Sequence, residues 1–251
     1  METLNYDFVD IHAHMSDAVF KDKLQNMMEK LGRYLVFNAG ESPQDNDKIL
    51  LQAGRYPNLL PCIGLHPNHI SVSTEIEISA GVEYIADNIS RAEAVSEVGL
   101  DYKGKEQRDI DLQKRALEKI LEIAERNKKP CILHSRKAIK DILDMLGSFH
   151  VHAIIHNFEG NKSDCSTAAE RGIYMSISTG FMKFRKDSII RAVPPEQMFV
   201  ETDSPVLSPD DSINTPENIP RLLDYISVVK RMDKEALMAR IMENLKEVMY
   251  D

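Results

Sequence analysis

Eight short runs rich in β-branched and aliphatic residues punctuate the chain: YDFVDIH (6–12), YLVFN (34–38), LLPCIGL (59–65), AEAVSEV (92–98), KPCILH (129–134), VHAIIH (151–156), GIYMSI (172–177) and MFVETD (198–203). Stretches of helical periodicity fill the intervals. In DIDLQKRALEKILEIAERNKK, for instance, Leu112, Ala116, Leu117, Ile120, Leu121 and Ala124 fall on one helix face. The spacing of the runs matches successive βα units, and no Pro/Gly/Ser-rich linker or low-complexity tract interrupts the series. Eight strands alternating with helices predict an α/β fold and one domain over residues 1–251. A closed (β/α)8 TIM barrel is favoured over an open doubly wound sheet.

Polar residues gather at one end of these runs. His12 and His14 lie two apart at the end of the first run, so strand pleating sends both imidazoles to the same face. Asp10 shares their parity and is either a partner that orients an imidazole or a buried structural carboxylate. Glu97 stands inside the apolar fourth run, where an ionised carboxylate needs a cation. An ion pair with a buried Lys or Arg is the alternative, but the other runs carry no basic residue near their C-terminal ends. His134 and His156 each close an apolar run, and Asp203 follows the last run before Ser-Pro, with Glu201 one pleat deeper. Each residue alone has an ordinary explanation as a core histidine or a turn-capping Asp. Together, four His, one Glu and one Asp at the mouth of a barrel describe a metal centre. Asp101 is expected in the following loop as a cap or supporting partner, and His69, His150 and His152 as structural residues.

Four imidazoles and two carboxylates suit two divalent ions, since four ligands saturate one tetrahedral site. Glu97 is the expected bridge between them. Zn²⁺, Mn²⁺, Co²⁺ and Mg²⁺ all fit such a donor set. Two such ions activate water near neutral pH and clamp the oxygens of a phosphoryl or acyl centre, which makes metal-assisted hydrolysis the expected reaction class. Asp203 is the expected acceptor of a proton from the attacking water.

Composition narrows the partners. The 31 Lys and Arg against 40 Asp and Glu give a net charge of −9, which argues against a broad basic face coating nucleic acid. Basic residues nevertheless cluster after the fourth, fifth and seventh runs: Lys103 and Lys105, Arg136 and Lys137, and Lys183, Arg185 and Lys186. Either they form a solvated face, or they make a small positive collar at the mouth, with Arg136 and Lys183 as phosphate contacts. Cys62, Cys131 and Cys165 show no CxxC spacing and read as reduced filler. No apolar run approaches the roughly 18 residues of a membrane span. The acidic start does not resemble a secretory leader, so a cytoplasmic location is expected. A surface of mixed charge favours a monomer.

The strings VDIHAHMSD, GLHP, AVSEVGLDY, CILHSRKA, IIHNFEG, VETDSP and NTPENIP, in this order, resemble the TatD family of metal-dependent deoxyribonucleases. The resemblance spans nearly the whole chain. It implies an amidohydrolase-type barrel, metals held by His12, His14, Glu97, His134, His156 and Asp203, and catalysis on phosphodiester bonds of DNA, expected at strand ends. It also implies that His66, which spacing alone leaves as a loop residue, contacts the scissile phosphate. Two strings depart from the family pattern: Asn157 and Glu159 stand where an HCF(S/T)G-like string is usual, and YMSISTGFMKF replaces a Gly-rich run. Two other classes compete, namely a hydrolase of amides, lactones or phosphate esters on the same barrel, and a non-catalytic binding or scaffold barrel.

Overall fold

A computed structural model describes residues 6–250; the first five residues of the acidic start, and residue 251, lie outside the described residues. The strands are β1 (Phe8–Ala13), β2 (Tyr34–Ala39), β3 (Leu59–Ile63), β4 (Ala94–Asp101), β5 (Cys131–Arg136), β6 (Ala153–Ile155), β7 (Tyr174–Ser178) and β8 (Met198–Glu201). They form one sheet in chain order, and each neighbouring pair is parallel. Such strands are covered on both faces, which explains why they read as continuous apolar runs rather than as alternating patterns. All eight residues of β4, for example, are buried.

Helices α1 (Leu24–Lys30), α2 (Pro43–Ala53), α3 (Pro67–Val72), α4 (Glu75–Asn88), α5 (Gln107–Arg126), α6 (Ile139–Leu146), α7 (Lys162–Glu170), α8 (Gly180–Phe184), α9 (Asp187–Ala192), α10 (Ile219–Lys230) and α11 (Lys234–Tyr250) surround the sheet. Their starts are set locally. Ser42 accepts the Asp45 N–H ahead of Pro43, and Thr74 with Glu77 and Asn161 with Asp164 form reciprocal capping boxes. The amphipathic stripe expected on α5 is buried against the sheet, and the main core fills the layer between strands and helices. All three cysteines are free and buried. No helix among the described residues is long and apolar enough to cross a membrane.

The barrel is drawn together where β8 returns to β1. Asp203 N donates to His12 O (2.9 Å) and His14 N to Ser204 O (2.7 Å), while Asp10 Oδ1 accepts the Thr202 N–H (2.9 Å). Burial pushes the Asp10 carboxyl up to about 8, against the hydrogen bonds from Thr202. Of its two expected roles, the structure gives Asp10 that of a buried seam residue.

Two strand ends bear directly on the mouth. Strand β4 runs to Asp101 rather than Val98, because after an irregularity between Val95 and Val98 it pairs on along β5 as far as Asp101↔Arg136. Gly99 interrupts the apolar pattern but permits the pairing: at φ 143°, an added Cβ would meet His134 O at 2.1 Å. Strand β8 stops at Glu201, and Asp203 lies beyond it in a turn with φ 57°.

Gly64 is the second close approach. An added Cβ would lie 2.3 Å from Glu97 N and 2.4 Å from Ser96 C, both backbone atoms with nowhere to move. Gly64 is itself clamped by Asn46, whose Oδ1 accepts its N–H (3.0 Å) and whose Nδ2 donates to its carbonyl (2.9 Å). Gly64→Ala is therefore expected to destabilise the protein by about 1–3 kcal/mol, the usual range for overpacking. Urea unfolding checks this, and a midpoint equal to wild type would contradict the close approach.

Candidate metal centre

Six side chains converge at the C-terminal mouth of the barrel, each delivered by a different local device. His12 lies in β1 and His14 just past its end, where the chain is bonded to the β8 turn. Glu97 belongs to β4, and its N–H donates to Gly40 O at 2.7 Å. His134 belongs to β5, opposite Gly99. His156 follows β6, with its N–H on Leu133 O. Asp203 sits in the left-handed turn after β8, a conformation that Asp and Asn tolerate better than most residues.

Glu97 is the centre of this group and presents its two oxygens to different imidazoles. Oε2 lies 3.5 Å from His12 Nε2 and 3.3 Å from His14 Nε2. Oε1 lies 2.7 Å from His134 Nδ1, 3.0 Å from His156 Nε2 and 3.3 Å from His66 Nε2. Asp203 Oδ1 lies 3.7 Å from His12 Nε2 and 3.4 Å from His14 Nε2. The sets His12–His14–Glu97, His12–His156–Asp203 and His66–Glu97–His134 each bring their donor atoms within 4.8 Å of one another.

The outward nitrogens fix how these rings face inward. His14 Nδ1 is 3.2 Å from the Ala39 carbonyl, which can only accept, so Nδ1 carries a proton and Nε2 is the nitrogen that faces Glu97 and Asp203. His134 turns Nε2 toward Asp101 Oδ2 (3.7 Å), and His156 turns Nδ1 toward Glu201 Oε1 (3.4 Å). Neither of these outer nitrogens is aligned for a full hydrogen bond. His66 is arranged the opposite way. It caps α3, and its Nδ1 accepts the Asn68 N–H at 3.0 Å, which leaves its proton on Nε2, facing Glu97.

Nitrogen and carboxylate donors thus meet with too few protons among them, and the donor set fits divalent metal. Without metal, protons take its place. Burial pushes the Glu97 carboxyl up, but the charges of His66 and His156 and bonds from His12 and His134 outweigh it and hold it well below the usual range. Burial likewise opposes charge on His14 and His156, yet Asp203 and Glu97 raise His14, and Glu97 and Glu201 raise His156, well above the ordinary imidazole value. Burial and the neighbouring His156 lower His12.

With this geometry in hand, the family is decided by similarity over the whole chain: the family model for TatD related DNase matches residues 9–250. The chain belongs to the TatD related DNase family. Among its relatives, the human deoxyribonuclease TATDN3 is 27% identical over 263 residues, covering 97% of this chain and 95% of the relative. An uncharacterized metal-dependent hydrolase of Methanocaldococcus jannaschii is 25% identical over 248 residues, covering 97% and 94%. Among solved structures, YJJV, a TatD homolog from Escherichia coli K12, aligns over 99% of this chain and 100% of that chain with a TM-score of 0.86. At 18% identity that likeness is one of fold.

In this TatD-family chain the centre floors a cavity of about 540 Å³, and His66 and Arg136 share its walls. Lys183 does not line it. The expected positive collar is corrected in the same way: Lys183 is bonded to Asp211 and Lys186 to Glu159, so these charges are matched locally. Among the described residues, Arg136 is the one Lys or Arg on the wall, beside the carboxylates Asp17, Glu41, Glu97, Glu159 and Asp203. Asp101, expected in a loop, is buried at the end of β4, accepts the Lys103 N–H (2.9 Å) and lies 4.0 Å from the Arg136 guanidinium. His69, His150 and His152 lie away from the cavity wall.

Sequence reasoning missed Asn46 altogether, although a polar residue on the buried Asn46–Ile49–Leu50 stripe of α2 was a signal. It noted Glu201 without a task. Glu201 is fully buried, accepts the Asn157 N–H (2.7 Å) and backs His156.

Because His14 and His156 are protonated at neutral pH in the metal-free protein, while a metal needs neutral imidazole, loading with Zn²⁺ at pH 7 is expected to release about one proton from each. Calorimetric titration in buffers of different ionisation enthalpy measures this. Binding without proton release would contradict the charge state described.

Proposed function

We propose that the chain hydrolyses phosphodiester bonds of DNA near a strand end, with two divalent ions held on either side of Glu97. The observation that carries the reading is the division of labour on Glu97: Oε2 faces His12 and His14, and Oε1 faces His134 and His156. On this reading His12, His14 and Asp203 would hold one ion, His134 and His156 would hold the other, and Glu97 would contribute to both. Ions so placed supply Lewis-acid polarisation of the phosphoryl oxygens and an activated water near neutral pH.

The chain's own residues do the rest. Asp203 opens onto the cavity, and although burial pushes its carboxyl up, the His14 bond and the charges of His12 and His156 keep it below the usual range. It is therefore ionised at neutral pH and able to take a proton from the attacking water. His66 offers its Nε2 proton to a phosphoryl oxygen, since its Nδ1 is committed to the Asn68 N–H. Arg136 meets one further phosphate, which makes it the substrate contact in preference to Lys183. Apart from the proposed ligands, and with Glu159 matched by Lys186, the wall sets Arg136 against Asp17 and Glu41 and so offers few phosphate contacts, which makes a terminus with few phosphates the better guest. Every residue named comes from a single chain, and a monomer suffices.

The scarcity of cations on the wall also favours a second reading, a hydrolase of small esters or cyclic amides on the same centre. One assay separates them. Metal-supplemented protein is expected to digest a linear single-stranded oligonucleotide, to leave its circularised form intact, and to lose activity reversibly with chelator. Glu97→Gln is expected to lower turnover by about 10² or more, and by more than loss of any one histidine, because each imidazole serves one ion. Rapid cleavage of the circle would overturn end selection, and full activity under excess chelator would overturn the metal mechanism. Hydrolysis of a cyclic amide alone would favour the second reading.

A further inference from the structure

The segment after β7 is rich in charge, but the structure uses that charge internally. Lys183 Nζ is bonded to Asp211 Oδ1, the Arg185 guanidinium stands over the Tyr225 ring at 5.9 Å, and Lys186 Nζ donates to Glu159 Oε1 at 2.8 Å. The residue left facing outward is Phe184, the last of α8. It is 60% exposed and lines the same cavity as His14, Glu97 and Asp203. The other seven phenylalanines are buried or half-buried. Val206, 54% exposed, lines that cavity too, so two of the large exposed apolar side chains flank the candidate centre.

Hydrogen bonds tie the loop that carries Val206 to the start of α8 and to Asn214. Thr179 Oγ1, at the start of α8, donates to Leu207 O at 2.9 Å, and Asn214 Nδ2 donates to Val206 O at 2.7 Å. The Lys183–Asp211 pair adds a tie between α8 and the loop after β8. A phenyl ring left in water forgoes burial, and a flat partner that lands on it recovers that burial. The cavity is therefore lined both by the candidate metal ligands and by the exposed apolar side chains of Phe184 and Val206. A nucleotide has the same division, an anionic phosphodiester joined to a flat aromatic base.

We propose that Phe184 is a nucleobase platform: the unpaired base beside the scissile phosphate stacks on its ring and rests against Val206. The proposal rests on the phosphodiesterase reading above and specifies its substrate as a terminus whose last base is free. Stacking on one ring is tolerant of sequence, because every base has a π face. A base paired within a duplex has both faces occupied, so blunt duplex ends must fray before they bind.

The test uses the full chain and single-stranded oligonucleotides carrying, at the nucleotide being released, a normal base, an abasic residue or the fluorescent base 2-aminopurine. Phe184→Ala is expected to raise KM on the normal substrate about tenfold, within the range that loss of one base–aromatic stack produces, with little change in kcat. On the abasic substrate the same variant is expected to match wild type. Phe184→Tyr keeps the ring and is expected to restore the normal KM. In chelator, where nothing is cleaved, wild type is expected to quench 2-aminopurine on binding, and Phe184→Ala is not. Equal KM and equal quenching for wild type and Phe184→Ala overturn the platform, as does an equal loss on normal and abasic substrates. If the metal-loaded wild type cleaves none of these strands yet quenches 2-aminopurine through Phe184, the platform stands and the phosphodiesterase reading fails.

Discussion

A carboxylate with almost no access to water is costly unless positive charge surrounds it, and Glu97 is buried at the mouth of a barrel with imidazoles on both sides. Its Oε2 faces His12 and His14, and its Oε1 faces His66, His134 and His156. Remove the cationic surroundings, whether metal or protons, and the same residue becomes a buried unpaired charge in the middle of the sheet. Around this constraint the rest of the mouth is organised. His14 and His156 hold protons when metal is absent, Asp203 leans toward His12 and His14, and Asp101 and Glu201 stand behind His134 and His156.

The barrel supplies the accuracy this arrangement needs. Glu97 is set by the absence of side chains as much as by their presence: Gly64 lets β3 pass against the Ser96–Glu97 backbone, and Gly99 lets β4 lie on His134. Asn46 fixes Gly64 from α2, and Gly40 O takes the Glu97 N–H. At the seam, hydrogen bonds join His12 and His14 to Asp203 and Ser204, so the two edges of the sheet meet at residues that would share a metal. Closure of the fold and assembly of the centre are thus the same event at that point.

Much of this was legible in the sequence, and what was not has physical reasons. Strands covered on both faces announce themselves as apolar runs, so all eight were found, and polar residues ending those runs stood out as His12, His14, Glu97, His134, His156 and Asp203. Asp101 was misplaced in a loop because Gly99 breaks the apolar pattern while β4 continues through it. His66 carries no periodic signal, since it caps a short helix, and only the family resemblance pointed to it. The basic collar failed for a different reason: charge in a sequence says nothing of its partners, and Lys183 and Lys186 turn out to be paired beside an exposed Phe184. Asn46 is invisible without the third dimension, because its two bonds go to a glycine in another element.

The central claim is that the two faces of Glu97 serve two ions. Equilibrium dialysis of metal-stripped protein against Zn²⁺ or Mn²⁺, with bound metal counted by atomic emission for wild type and for Glu97→Gln, tests it directly. Saturation at two ions per wild-type chain, with at least one lost in the variant, is the expected result. Saturation at a single ion in wild type, or two ions retained undiminished by Glu97→Gln, would contradict it.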